Sequence, residues 1–121
     1  MIEIRKLRRS IKHALRGVKI AFKTEQSFRL QSIFSLFVII LAIYFQITSF
    51  EWVIILLMSS IILSLELFNS IIERILDAFR PRIHPIVKDI KDIMAATVLI
   101  MSMAAVMVGV TIFYPYILAL V

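Results

Sequence analysis

The stretch that decides the fold is Trp52–Asp77, WVIILLMSSIILSLELFNSIIERILD. From Trp52 to Ile72 it holds 21 residues with one charge, Glu66. A helix needs about 20 predominantly apolar residues to cross a bilayer. The same stretch carries Glu66, Asn69, Ser70, Glu73 and Asp77 at i, i+3, i+4, i+7 and i+11. At the helical repeat these positions share one narrow face. The pattern therefore predicts a spanning helix with a polar stripe that runs from inside the bilayer to one of its surfaces. Lipid cannot satisfy such a stripe, so it must face another helix, a metal or a ligand.

Two more apolar runs lie on either side. Leu30–Phe50 has 21 residues without a charge and Ile93–Val121 has 29. The expected architecture is an all-α membrane protein with an N-terminal amphipathic surface helix at about 1–28. Spans follow at about 30–48, 51–73 and 93–115, with a cytoplasmic loop at 74–92. The whole chain, 1–121, reads as one integral-membrane domain. Composition agrees, with 61% hydrophobic and 18% charged residues in 121. Soluble domains run nearer ~45–50% and ~25%, and a chain this short could not bury the excess. Disorder is excluded for the same reason. The absence of Cys removes disulfides, thiolate metal sites and cysteine nucleophiles.

Charge sets the orientation. The formal net charge is +6, and the first 29 residues hold nine Lys/Arg against Glu3 and Glu25. All fourteen Lys/Arg lie before the first span or between the second and third. The positive-inside rule puts the N-terminus and 74–92 in the cytoplasm and the C-terminus outside. Tyr44, Phe45, Phe50 and Trp52, with Phe113, Tyr114 and Tyr116, fall at the two outer boundaries, as an interfacial belt does. A cleaved signal peptide is not expected, because the charged region is too long and no small-residue cleavage site follows. No nucleic-acid partner is expected either, since the basicity is confined to the membrane-proximal N-terminus. There Ile4, Leu7, Ile11, Ala14, Val18 and Phe22 recur at helical spacing, with Arg5, Arg9, Lys12, Arg16, Lys19 and Lys23 beside them. This pattern suits a basic helix lying in the interface. A topology anchor and a contact to an anionic ligand both fit it.

Glu66 is the informative residue, because an acid inside a span is costly and usually functional. A polar seam that holds an oligomer together explains Asn69 and Ser70 equally well. It explains three carboxylates less well, because they repel unless a cation or proton intervenes. Clustered carboxylates without soft ligands suit a hard ion such as Mg²⁺. Glu25 and Arg29, and Lys88, Lys91 and Asp92, fall at the same cytoplasmic depth. Acids for a metal and cations for phosphate are the parts of phosphoryl transfer, although no Walker A or kinase glycine loop is present.

Leu65-Glu66-Leu67-Phe68-Asn69-Ser70-Ile71-Ile72-Glu73-Arg74-Ile75-Leu76-Asp77 resembles the E-x-x-N-[ST]-A-I-E-x-x-x-D signature of the prokaryotic diacylglycerol kinase family. These small integral-membrane lipid kinases include undecaprenol kinases. Lys91-Asp92 with Ala95-Ala96-Thr97-Val98-Leu99 is similar to the family's K-D-x-x-[AS]-A-A-V-L segment. Gly17, then Ala21-Phe22-Lys23-Thr24-Glu25-Gln26 and Arg29, resembles its A-F-x-x-E-x-x-x-R stretch, and His84 matches a loop His. The resemblance covers nearly the whole chain.

The resemblance implies a homotrimer in the bacterial cytoplasmic membrane, with ATP as co-substrate and sites between protomers. Glu66 would be the general base for the lipid hydroxyl and Asn69 would support the geometry. Glu25 and Glu73 would hold Mg²⁺. Lys6, His13, Asp77, Arg82, His84, Lys91 and Asp92 would join Glu25 and Glu73 around the nucleotide. Ser10, Arg29, Gln31 and Ala95 would line the lipid with Glu66. The chain departs from the pattern at His13, where Tyr is common, at Pro85 after the loop His, and at Ile71, where Ala is usual. At Gln31 the Gram-negative diacylglycerol kinases carry an acid. The Ala21–Gln26 stretch looks more like the undecaprenol kinase branch, and Gln31 agrees, so undecaprenol is the favoured substrate and diacylglycerol the alternative. Outside this class, a small proton-coupled exporter or a non-catalytic scaffold would also use apolar helices. Both account less well for polar residues gathered at one face.

Overall fold

The computed structural model describes residues 1–79 and 85–121. Four helices follow one another: α1 (Ile4–Thr24), α2 (Gln26–Phe45), α3 (Ser49–Phe79) and α4 (Pro85–Leu118). The last three are long and apolar enough to cross a membrane. α3 packs against both α2 and α4, and α1 packs against α2.

The break between α1 and α2 is a single residue. Glu25 is extended, at φ −112° and ψ 110°, and its N–H donates to Ala21 O at 2.8 Å. A helix end leaves carbonyls without partners. Here the Arg29 guanidinium, one turn into α2, donates to Phe22 O at 3.0 Å and Lys23 O at 2.9 Å. Arg29 thus caps α1 while fixing the angle at which α2 leaves it.

The turn between α2 and α3 is fixed by two motifs. Gln46 takes the left-handed conformation, φ 50° and ψ 55°. Gln46 N–H donates to Ile43 O and Ile47 N–H reaches back to Ala42 O, both at 3.3 Å, the pairing of a Schellman end. Ala42 and Ile47 are both buried, which supplies the apolar contact that accompanies such an end. Thr48 then opens α3 with a capping box. Its N–H donates to Glu51 Oε1 at 3.0 Å and its Oγ1 accepts from Glu51 N–H at 3.2 Å. Around this turn sits the core: Ala42, Ile47, Ile55, Ile112 and Phe113, with Phe45, Trp52 and Tyr116 packed on it. Phe45 stacks at a tilt on Phe113 and Tyr116, with centroids 6.1 and 5.8 Å apart. Tyr116 O–H donates to Glu51 Oε1 at 2.5 Å, tying the end of α4 to the start of α3. Tyr44, Phe50 and Tyr114 stay exposed. Four of the seven expected belt residues, Phe45, Trp52, Phe113 and Tyr116, therefore pack in or on the core.

The helices overrun the apolar runs, and this corrects the sequence reading. Of the segment expected to be a loop, 74–92, residues 74–79 continue α3 and 85–92 begin α4. Hydropathy reports where lipid is, whereas a helix, once nucleated, extends through any residues that tolerate it. Pro85 is the first residue of α4, where its missing N–H costs nothing. With 31 and 34 residues, α3 and α4 reach about 46 and 51 Å at 1.5 Å per residue. A hydrocarbon core is about 30 Å thick. The charged ends of both helices therefore stand beyond it as rigid stems.

Candidate functional site

Glu66 and Ser70 of the α3 stripe face α2 and the break before it. Glu66 and Ser70 are the buried polar residues, each 6% exposed. Among the described residues, the carboxylates of Glu25 and Glu73 and the side chain of Gln31 act on the Glu66 carboxylate. Gln31 also donates from Nε2 to Ser102 Oγ on α4 at 3.1 Å, so it bridges α3 and α4 from α2. Asn69 Oδ1, one turn from Glu66, is buried without a hydrogen-bond partner among the described residues.

Glu25 is the fixed acid of the group. Ser70 Oγ donates to Glu25 Oε1 at 2.9 Å. Arg74, one turn further along α3, donates from Nε to Ser70 Oγ at 3.3 Å and from NH2 to Thr24 Oγ1 at 2.8 Å. The same guanidinium lies 3.7 Å from Glu25 Oε1. Ser70 and Arg74 thus lock the α1–α2 break onto α3. In the sequence Arg74 reads only as a charge at a helix end. Its one signal is the i, i+4 spacing from Ser70.

Among the described residues no cation pairs with Glu66 or Glu73. A buried carboxylate without a compensating cation is costly. Glu66 is therefore not held as an ion pair among the described residues.

The other expected residues divide into two groups. Lys91 Nζ lies 2.8 Å from Asp77 Oδ1 across α3 and α4, so this pair of expected nucleotide residues is brought together. Asp92 instead pairs with Lys88 within α4, at 2.9 Å. Lys6, Ser10 and His13 are exposed on α1, where Lys6 lies 3.7 Å from Glu3. Ala95 is exposed on α4. Arg29 is occupied as the α1 cap. Arg82 and His84 lie outside the described residues.

Whether a hard cation fits can be judged from the donors. Among the described residues no three His, Asp or Glu side chains are gathered to hold a metal alone. Mg²⁺, however, is commonly held by one or two carboxylates, with water and phosphate in its remaining positions. Glu25 and Glu73, whose charges both act on Glu66, are two carboxylates of the kind such a cation takes.

Comparison with known proteins identifies the family. A family model described as prokaryotic diacylglycerol kinase matches residues 12–113. The chain is 31% identical over 113 residues to an undecaprenol kinase of Bacillus subtilis, covering 93% of this chain and 92% of that protein. It is 31% identical over 112 residues to a diacylglycerol kinase of Synechocystis, covering 92% of this chain and 64% of the relative. It is 37% identical over 84 residues to a diacylglycerol kinase of Helicobacter pylori, covering 69% and 66%. These matches set the exporter and scaffold alternatives aside. With three helices able to span a membrane and a buried acid on the middle one, the chain belongs to the prokaryotic diacylglycerol kinase family of membrane lipid kinases.

Proposed function

We propose that this protein transfers the γ-phosphate of ATP to the hydroxyl of a membrane lipid alcohol, with undecaprenol as the favoured acceptor. The observation that carries the proposal is Glu66, a buried carboxylate in a membrane-crossing helix, faced by two other acids and, among the described residues, by no paired cation. A lipid alcohol is a poor nucleophile at neutral pH and needs a base as phosphorus is attacked. In this reading Glu66 accepts the hydroxyl proton while the alcohol oxygen bonds to the γ-phosphorus. The bond to the bridging oxygen breaks and ADP leaves. Asn69, one turn from Glu66, supports the geometry of the site. Glu25, fixed by Ser70 and Arg74, and Glu73 hold Mg²⁺, which neutralises phosphate charge when bound. Lys91 and Asp77 lie where the triphosphate and nucleoside reach the stems of α3 and α4, with Asp92 nearby.

Two further parts belong to the proposal. α2, α3 and α4 leave many of their apolar side chains exposed. We infer a homotrimer that closes the site between protomers, with lipid covering the rest. We also place the cytoplasmic ends of α3 and α4 and all of α1 on the inner side of the bacterial cytoplasmic membrane, where ATP is found.

Undecaprenol is favoured on two grounds. The undecaprenol kinase relative matches almost end to end. Gln31, an amide, faces Glu66 where the Gram-negative diacylglycerol kinases carry an acid. The several relatives named diacylglycerol kinase keep diacylglycerol as the second acceptor. The test is ATP consumption by the purified protein with Mg²⁺ and either lipid. Turnover that depends on undecaprenol supports the proposal. Turnover with diacylglycerol alone reverses the preference, and turnover with neither refutes the reading.

A further inference from the structure

The cations of α1 are not spread evenly around its polar surface. At 100° per residue, Arg5, Arg8, Arg9, Lys12, Arg16, Lys19 and Lys23 fall within a sector of about 100°. The apolar residues Ile4, Leu7, Ile11, Leu15, Val18 and Phe22 fill the adjoining sector on one side. The remaining flank holds Ser10, His13, Gly17, Ala21 and Thr24, with Lys6 as its one cation.

Contacts identify which flank faces the body of the protein. Ala21 is the buried residue of α1, and Thr24 accepts the bond from Arg74 of α3. Both lie on the nearly neutral flank. Ala21 stands about 170° around the helix from the middle of the cationic sector. The cations therefore point away from α2 and α3, and away from Glu25, Glu66 and Glu73. None of the seven is in an ion pair among the described residues. Four of them, Lys12, Arg16, Lys19 and Lys23, line a groove of about 460 Å³ together with Leu15 and Ile20.

We propose that this cationic flank is a docking surface for the phosphate headgroups of anionic phospholipids in the same leaflet, separate from the reaction site. With the apolar sector in the interface, a flank beside it lies level with the headgroups. Long Lys and Arg side chains reach phosphate from there while their stems cover apolar surface. A run of unpaired cations attracts anionic lipid, and the attraction fades within about 10 Å of the surface. The flank collects lipid around the protein and clamps α1, and with it the Glu25 break, to the membrane plane. The proposal does not depend on the identity of the reaction, because its readout is lipid retention.

The test uses the full chain in vesicles of equal parts phosphatidylcholine and phosphatidylglycerol. The protein is extracted in mild detergent and the ratio of retained lipids is measured. Phosphatidylglycerol is expected to be enriched about threefold or more over the bulk ratio. The combined Lys12→Gln, Arg16→Gln, Lys19→Gln and Lys23→Gln variant should return the ratio to that of the bulk. The combined Lys12→Arg, Lys19→Arg and Lys23→Arg variant should keep the enrichment. Extraction of the unsubstituted protein in high salt reads the same surface without any change in fold, and should also lower the enrichment. Retention at the bulk ratio by the unsubstituted protein overturns the proposal. Enrichment that survives both the Gln variant and high salt overturns it as well. Loss of enrichment on adding Mg²⁺·ATP would assign the flank to the nucleotide and overturn it too.

Discussion

Ser70 and Glu25 are 45 residues apart in sequence and 2.9 Å apart in space, hydroxyl to carboxylate. Glu25 is the one non-helical residue between α1 and α2. Its side chain would otherwise swing with that break. The Ser70 hydroxyl fixes it to α3, the helix that carries Glu66 and Glu73, and Arg74 holds both partners.

Ser70→Ala should therefore act on metal–nucleotide binding more than on the chemical step. One lost hydrogen bond to a charged group is worth roughly 1.5–3 kcal/mol, and part of it is recovered from Arg74. The expected result is a KM for Mg²⁺·ATP raised roughly tenfold with kcat changed little, and recovery in Ser70→Thr. Steady-state kinetics with varied Mg²⁺·ATP gives both constants. An equal fall in kcat with KM unchanged would make Ser70 a partner of the reaction itself.

The opposite end of the molecule offers a control. Glu51 is held by Thr48 and Tyr116, and this cluster closes the core between α2, α3 and α4. Tyr116→Phe removes one bond and leaves the ring in place. Its expected cost is about 1–2 kcal/mol of stability, with turnover unaffected at temperatures where the protein is folded. Thermal unfolding in detergent, run beside an activity assay, measures both.

Gln31→Glu adds a further carboxylate against Glu66, beside those of Glu25 and Glu73, and removes the donor to Ser102. Carboxylates that face each other repel. If the amide at this position suits undecaprenol, the ratio of undecaprenol to diacylglycerol turnover should fall by roughly tenfold, a typical pocket discrimination. Rates with each lipid, measured on the same preparation, decide it. An unchanged ratio removes Gln31 from substrate choice.

Orientation is testable without any assay of the reaction. A reporter fused after Val121 should read as extracytoplasmic, because every Lys and Arg lies toward the other side. A cytoplasmic signal would require one of the three spans to be wrong.

The apolar runs and the i, i+3, i+4, i+7 stripe made the three long helices and the acid-bearing face legible in the sequence. These depend on composition and helical repeat alone. Helix ends were not legible. Residues 74–79 and 85–92 look like loop because they are charged, but charge ends a membrane span without ending a helix. The role of Arg29 was also hidden. Its spacing from Glu25 suggested a shared site, whereas the extended backbone at Glu25 leaves the α1 carbonyls open for it to cap. Bonds between distant segments, such as Ser70 with Glu25 and Gln31 with Ser102, have no local pattern. They depend on how the helices pack.

The most direct measurement compares Glu66→Gln with Glu73→Gln. Glu66→Gln keeps size and hydrogen-bonding capacity and removes the base. With undecaprenol as acceptor, its turnover should fall by roughly 10²–10⁴, the usual contribution of a general base, while Mg²⁺·ATP still binds. Glu73→Gln should instead weaken Mg²⁺·ATP binding, and added Mg²⁺ should partly restore its turnover. Near-normal turnover in Glu66→Gln would contradict the account by making Glu66 a packing residue. Loss of Mg²⁺·ATP binding in Glu66→Gln, as severe as in Glu73→Gln, would contradict it by moving Glu66 into the metal shell.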